Sequence, residues 1–436
     1  MCRRLFSFLF DTKCDLINPA FANLSIYPFS LQNHLSCPLL RTDPSHHLAG
    51  PLIPQTPLDS PIKSRPRPFK DNTPVSHGFL NDITTGRWVV VPSASLRLLL
   101  LPVFLHINWT IFTPLVFTHP PPSPFAPLLF ISYPTPSPTN DITDPRYRKG
   151  WLDLVFLAYN VVFFSFVRQF VLFRICYPIA RYFGIKKKAK LARFGEQGYA
   201  IFYFSFFGAW GVRIMSGLPT WWYNTKHFWI DYPHWQMTPE LKRYYLMQAS
   251  YWCQQLVVLL SGLEKPRKDY KELVAHHLVT LWLVGWSYGI NLTLIGNAVY
   301  TSMDIPDVFL AITKVINYLN WEYSQNIVFV IFIGVWTYFR HYLNLVMLWS
   351  VYNEFDLIPQ SARRFSPADG VWMAGWLQWQ IFTPILLLHC LNLFWYYLIW
   401  RILWRTVTGN SLKDERSDDE DSDDENEDKK KKIKRS

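Results

Sequence analysis

Apolar residues run along this chain in long blocks rather than in alternation. Short stretches holding most of the Lys, Arg, Asp and Pro separate them. About twenty apolar residues in a helix span a bilayer core of about 30 Å. On that measure the pattern predicts spans at about 95–118, 151–173, 198–217, 245–263, 274–290, 292–316, 326–350 and 377–404. The expected fold is therefore all-α: a polytopic membrane protein of about eight transmembrane helices. The stretch 218–235 (LPTWWYNTKHFWIDYPHW) is too polar to cross, and its Trp and Tyr suit the membrane interface.

The blocks also divide the chain. Residues 1–88 are rich in Pro, Ser and Asn without helical period and read as disordered. Residues 89–150 hold the first span and a Pro-rich loop with PPPSP at 120–124 and PTPSP at 134–138. Residues 151–405 form the helical bundle. Residues 406–436 form a tail, acidic at SDDEDSDDENED (417–428) and then basic, expected to be disordered.

Composition supports a membrane protein. Of 436 residues, 50% are hydrophobic and 17% aromatic, with 20 Trp. The net charge of +11 does not signal nucleic acid, because the basic residues sit in loops and in the tail. The loops 174–197 and 264–273 carry seven and four Lys/Arg, whereas the longer loops 119–150 and 218–244 carry three each. The first two are then cytosolic, and eight spans place both termini there as well. Arg363 and Arg364 run against that rule. The opening MCRRLFSFLF has too short an apolar core for a signal peptide, so the first span is expected to direct insertion. The six Cys show neither paired nor metal-site spacing and read as core residues. Lys432 and Lys434, fifth and third from the end, have the spacing of a dilysine retrieval signal of endoplasmic reticulum membrane proteins.

One stretch carries candidate chemistry: HHLVTLWLVGWSYGINLTLIGNAVYTSMDIPD, residues 276–307. It bears ionisable groups at both ends of an apolar hairpin, and such groups inside a membrane are costly and functional by default. With the turn at Asn291, His276 and His277 lie 15 and 14 residues before it, and Asp304 and Asp307 lie 13 and 16 after it. At 1.5 Å per residue all four fall about 20–24 Å from the turn, at one depth near the cytosolic end. Asp304 and Asp307 are three apart and share a helix face. Pro306 is expected to distort the helix and free the carbonyl of Ser302. Adjacent helical histidines diverge by about 100°, a poor start for a metal, so no metal site is expected. Proton-coupled transport, a structural or lipid-sensing role, and acyl transfer stay open. In acyl transfer a near-neutral His removes a proton or attacks a thioester, while an Asp fixes its tautomer.

The same residues resemble the TLC domain of the longevity-assurance ceramide synthases. His276-His277, Thr280, Ser287-Tyr288, Asn291, Ile295-Gly296, Asp304 and Asp307 resemble that family's Lag motif in order and spacing. The likeness runs from about 87 to 410 and includes RWVVVPS (87–93), DPRY (144–147), LPTWWY (218–223), WIDYPHW (229–235) and PELKRYYLMQ (239–248), fungal in style. No homeobox-like insert is present. The resemblance implies a TLC-type helical bundle with its active site inside. It implies transfer of a fatty acyl group from acyl-CoA to a sphingoid base, dihydrosphingosine or phytosphingosine, in the endoplasmic reticulum membrane. It implies catalytic His276, His277, Asp304 and Asp307, and substrate-binding Tyr288 and Asn291. No cofactor is expected beyond the acyl-CoA substrate. Membrane lipids are partners, and a homo- or hetero-oligomer or a small accessory subunit stays open. Ser417 and Ser422, each before Asp-Asp-Glu, resemble sites for an acidophilic casein-type kinase in fungal tails. A non-catalytic lipid-sensing or lipid-transport protein of the same fold is the alternative.

Overall fold

The computed structural model describes residues 76–136, 144–261 and 269–408. Among them, eight helices of twenty residues or more coincide with the predicted blocks. They are α1 (Pro92–Val116), α2 (Leu152–Tyr182), α3 (Lys188–Ser216), α4 (Pro239–Leu260), α5 (Tyr270–Gly289), α6 (Thr293–Tyr318), α7 (Glu322–Asn353) and α8 (Leu377–Val407). A short antiparallel pair, Pro134–Thr135 with Arg146–Tyr147, joins two loop segments. Both α2 and α7 contain a π-helical turn, Leu172–Cys176 and Thr337–Leu343. Such bulges rotate the side chains that follow, and the second carries Arg340 and His341.

Local chemistry sets the helix ends. Thr238 caps α4: its hydroxyl accepts the amide of Leu241 at 3.3 Å, and Pro239 occupies the first turn, where a missing N–H costs nothing. Asn291 makes the turn between α5 and α6 with φ at 64°, a conformation Asn tolerates better than most residues. Its side-chain amide donates to the carbonyl of Gly370 at 3.0 Å.

Helices α3 to α8 close a ring. In it α3 packs on α4, α4 on α5, α5 on α8, α8 on α7, α7 on α6 and α6 back on α3. The α3–α6 crossing is the most extensive contact. Small residues allow it, since Gly208 faces Asp304 and Ile305, and a methyl at Gly211 would meet the Tyr244 hydroxyl at 2.6 Å and the Thr301 hydroxyl at 2.8 Å. Helices α1 and α2 lie beside this ring, with α2 against α4 and α1 against α2.

By length and composition, four helices suffice to cross a membrane: α1, α2, α7 and α8. The other four fall short of the eight-span expectation by their more polar composition. Gln248, Gln254, Asn297, Thr301 and Asp304 are all fully or almost fully buried on α4 and α6. Two other expectations change. Residues 79–84, placed in the disordered segment, form a helix whose Asp82 accepts hydrogen bonds from Ser76 and the amide of His77. The Trp-rich loop does not lie wholly at an interface. Phe228 and Trp229 are fully buried, and the Trp229 indole donates to Ser350 at 2.8 Å, while Trp221, Trp222 and Trp235 stay exposed. Helix α6 continues through Pro306, which has no N–H to offer the Ser302 carbonyl.

A buried ion pair fastens α4 to the start of α2. Lys242 Nζ lies 2.7 Å from Asp153 Oδ1 and donates to the carbonyls of Ser132 at 2.7 Å and Arg148 at 2.6 Å. Asp153 Oδ2 accepts the Tyr288 hydroxyl at 2.7 Å. Lys242→Met removes one partner and strands a buried carboxylate, at a cost of about 3–5 kcal/mol. The expected outcome is a clear fall in melting temperature in detergent, largely reversed when Asp153→Asn is added. Unchanged melting of the single variant would contradict the role given to this pair.

Candidate active site

The α5–α6 hairpin carries the histidines and aspartates, as the spacing predicted. His276 and His277 stand in the second turn of α5, and Asp304 and Asp307 stand mid-way along α6. The structure brings His276, His277 and Asp307 onto the wall of one polar cavity of about 240 Å³, together with Asp269, Lys314 and Arg340. Asp304 is buried behind that wall.

Each aspartate has a partner that counting could not reveal. Asp307 Oδ1 is 2.7 Å from Arg340 Nη2. The guanidinium also donates to Asn392 Oδ1 at 2.9 Å and to the carbonyl of Met303 at 3.0 Å, and lies over the Trp336 ring at 4.3 Å. Met303 is one residue on from Ser302, whose carbonyl the proline was expected to free. Asp304 Oδ2 accepts Gln248 Nε2 at 2.5 Å, and Gln248 Oε1 accepts the Tyr203 hydroxyl at 2.5 Å. The aspartates are thus held by Gln248 and Arg340, not by the expected pairing with an imidazole.

The two histidines are positioned differently. His277 Nδ1 lies 2.8 Å from the carbonyl of Leu273. A carbonyl only accepts, so Nδ1 carries the proton, and the neutral ring keeps a lone pair on Nε2. His276 Nδ1 is buried with no hydrogen-bond partner among the described residues. Rings hold His276 instead, edge-on: Trp252 at 5.5 Å, Trp395 at 5.4 Å and His277 at 5.7 Å between centroids.

A second cavity begins at His276. It is narrow, about 50 Å³, and lined almost wholly by apolar atoms, among them those of Val284, Ile290, Leu292, Val299 and Leu388. It extends from His276 to the α5–α6 turn, about 21 Å along α5. His276 and Trp252 line both cavities. An apolar chain in the narrow cavity would therefore present its polar end to His276, with water and charge on the other side.

Other expected positions fall elsewhere. Tyr288 donates to Asp153 and stacks on Tyr245 at 5.6 Å, and Asn291 is bound to Gly370. Neither lines either of these two cavities. Ser417, Ser422, Lys432 and Lys434 lie outside the described residues. Among the described residues no group of three or more His, Cys, Asp and Glu could hold a metal ion. Sequence reading missed Gln248, Trp252, Asp269 and Trp395. Asp269 did leave a signal: it stands seven residues before His276, two turns away on the same helix face. His341 and His389, 5.4 Å apart, lie outside both cavities.

Fold and site together define a multi-pass helical membrane protein with a histidine–aspartate site inside its bundle. Residues 193–401 match the TLC domain family model shared by TRAM, LAG1 and CLN8 proteins. The chain is 43% identical over 297 residues to sphingosine N-acyltransferase lac1 of Schizosaccharomyces pombe, covering 66% of this chain and 74% of that protein. It is 40% identical over 279 residues to ceramide synthase LAG1 of Saccharomyces cerevisiae, covering 64% and 67%. It is 36% identical over 332 residues to sphingosine N-acyltransferase-like protein FUM17 of Gibberella moniliformis, covering 72% and 84%. The chain belongs to the longevity-assurance ceramide synthase family, fungal type.

The Asp307–Arg340 pair makes a direct prediction. Arg340→Met removes the cation bonded to Asp307, leaving Lys314 as its remaining positive neighbour, and is expected to cost about 3–5 kcal/mol of stability. Adding Asp307→Leu should recover most of it, read as melting temperature in detergent. A double variant no more stable than Arg340→Met would show that Arg340 acts through Asn392 and Met303 instead.

Proposed function

We propose that this chain is a ceramide synthase, joining the acyl group of a fatty acyl-CoA to the amine of a sphingoid base. The observation that carries the mechanism is the place of His276, at the meeting of a narrow apolar cavity and a polar one. The apolar cavity marks the path of the acyl chain and, at about 50 Å³, widens between α5, α6 and α8 to take it. The polar cavity takes the thioester and admits the amine. Coenzyme A stays in water beyond the Asp269 end.

The reaction runs in two transfers. An imidazole nitrogen of His276 attacks the thioester carbonyl, and a C–N bond forms as the C–S bond breaks. Coenzyme A leaves as the thiolate and takes the imidazole proton. The sphingoid base arrives as an ammonium, which cannot attack. His277 Nε2 accepts one of its protons, as the Nδ1 bond to Leu273 allows. The amine then attacks the acyl carbon, the amide C–N bond forms, and the departing imidazole takes the second proton. Asp307 and Arg340 form the charged wall that fixes the cavity, and Gln248 holds Asp304 behind it.

We further read all eight long helices as crossing the membrane of the endoplasmic reticulum, with both termini cytosolic. Gln248, Gln254, Asn297 and Asp304 are buried on α4 and α6, which lets these helices sit in lipid despite their composition. That orientation puts the Asp269 end, with its basic loop, beside cytosolic acyl-CoA.

The test uses microsomes from cells without their own ceramide synthases, expressing this chain or His276→Ala. Dihydrosphingosine and phytosphingosine are supplied with acyl-CoAs of graded length. N-acylated product is expected from the unaltered chain, with a loss of at least about 10²-fold in His276→Ala at equal protein level. No product from the unaltered chain would favour a lipid-sensing role. Equal product from both would remove His276 from the reaction.

A further inference from the structure

We propose that Asp269 is a positioning residue for His276 and acts through the indole of Trp395. The inference rests on the reading of His276 as the reacting side chain. Three observations carry it. First, the buried Nδ1 of His276 finds no hydrogen-bond partner among the described residues, so the aim of its ring depends on the rings packed around it. Second, of the two indoles that grip it, Trp252 has its own N–H buried without a partner, whereas Trp395 Nε1–H donates to Asp269 Oδ2 at 3.2 Å. Of the two indoles, Trp395 is therefore the one with a directional anchor. Third, Asp269 lies at the N-terminus of α5, and its carbonyl accepts the amide of Leu273 at 3.0 Å. The residue that starts the helix bearing His276 thus also pins the α8 ring that faces His276.

A hydrogen bond is directional and ring packing much less so. Without the Asp269 anchor the Trp395 indole is free to tilt, and the imidazole it supports tilts with it. Misplacing a reacting group by about 1 Å costs on the order of a hundredfold in rate. The polar cavity keeps its other walls, so substrate binding should change little. The effect belongs in kcat and not in KM.

Trp395→Phe is the sharpest variant, because it keeps a ring and deletes the N–H. Asp269 has interactions besides this bond, so Asp269→Ala is paired with Asp269→Asn, whose side-chain oxygen still accepts. N-acylation is measured per mole of folded protein, with His276→Ala alongside. Trp395→Phe and Asp269→Ala should each lower kcat by about ten- to a hundredfold, with KM for both substrates within about twofold. The double variant should fall no further than the lower single one, because both remove the same bond. Asp269→Asn should keep several-fold more kcat than Asp269→Ala, since the indole keeps its acceptor. Normal kcat in Trp395→Phe, losses that multiply in the double variant, or a change confined to KM would overturn the inference while leaving His276 in place. Full activity of His276→Ala would overturn the reading of the site, and this inference with it.

Discussion

A carboxylate and a guanidinium 2.7 Å apart on α6 and α7 anchor much of the ring. Neither charge could stay in an apolar interior alone, since each costs several kcal/mol there. Arg340 reaches its position because α7 carries a π-helical turn at Thr337–Leu343. From there it binds the Asp307 side chain, the Met303 carbonyl and Asn392 of α8. One cation thus joins α6, α7 and α8 and forms a wall of the polar cavity.

The apolar half follows a different rule. No charge enters the narrow cavity, and almost no polar atom faces it. His276 is placed where the two regimes meet, among rings that offer its Nδ1 no hydrogen bond. A neutral, weakly solvated imidazole suits contact with a lipid thioester. His277 beside it has one nitrogen fixed by a backbone carbonyl. Adjacent histidines can therefore divide nucleophile and base between them.

The hydrophobic blocks located all eight long helices, and helical arithmetic put the histidines and aspartates at one depth. Both readings rest on local chain geometry, which sequence carries directly. The partners were hidden because they come from other helices: Gln248 from α4, Arg340 from α7 and Trp395 from α8. Pro306 pointed to a freed carbonyl in this turn of α6, but not to Arg340, which binds the Met303 carbonyl one residue on from Ser302. The aromatic loop looked interfacial because its Trp and Tyr have two uses. Trp229 buries its ring and satisfies its N–H at Ser350, a choice set by tertiary packing. Tyr288 and Asn291, placed with the substrate by resemblance, instead hold the turn and the α2 junction.

The central claim is that His276 receives the acyl group before the amine does. The most direct measurement is mass spectrometry of the protein rapidly quenched after mixing with acyl-CoA alone. The account predicts one added acyl mass on the peptide containing His276, absent in His276→Ala and discharged when a sphingoid base is added. An active protein that never carries an acyl group, or carries it on another residue, would contradict the claim.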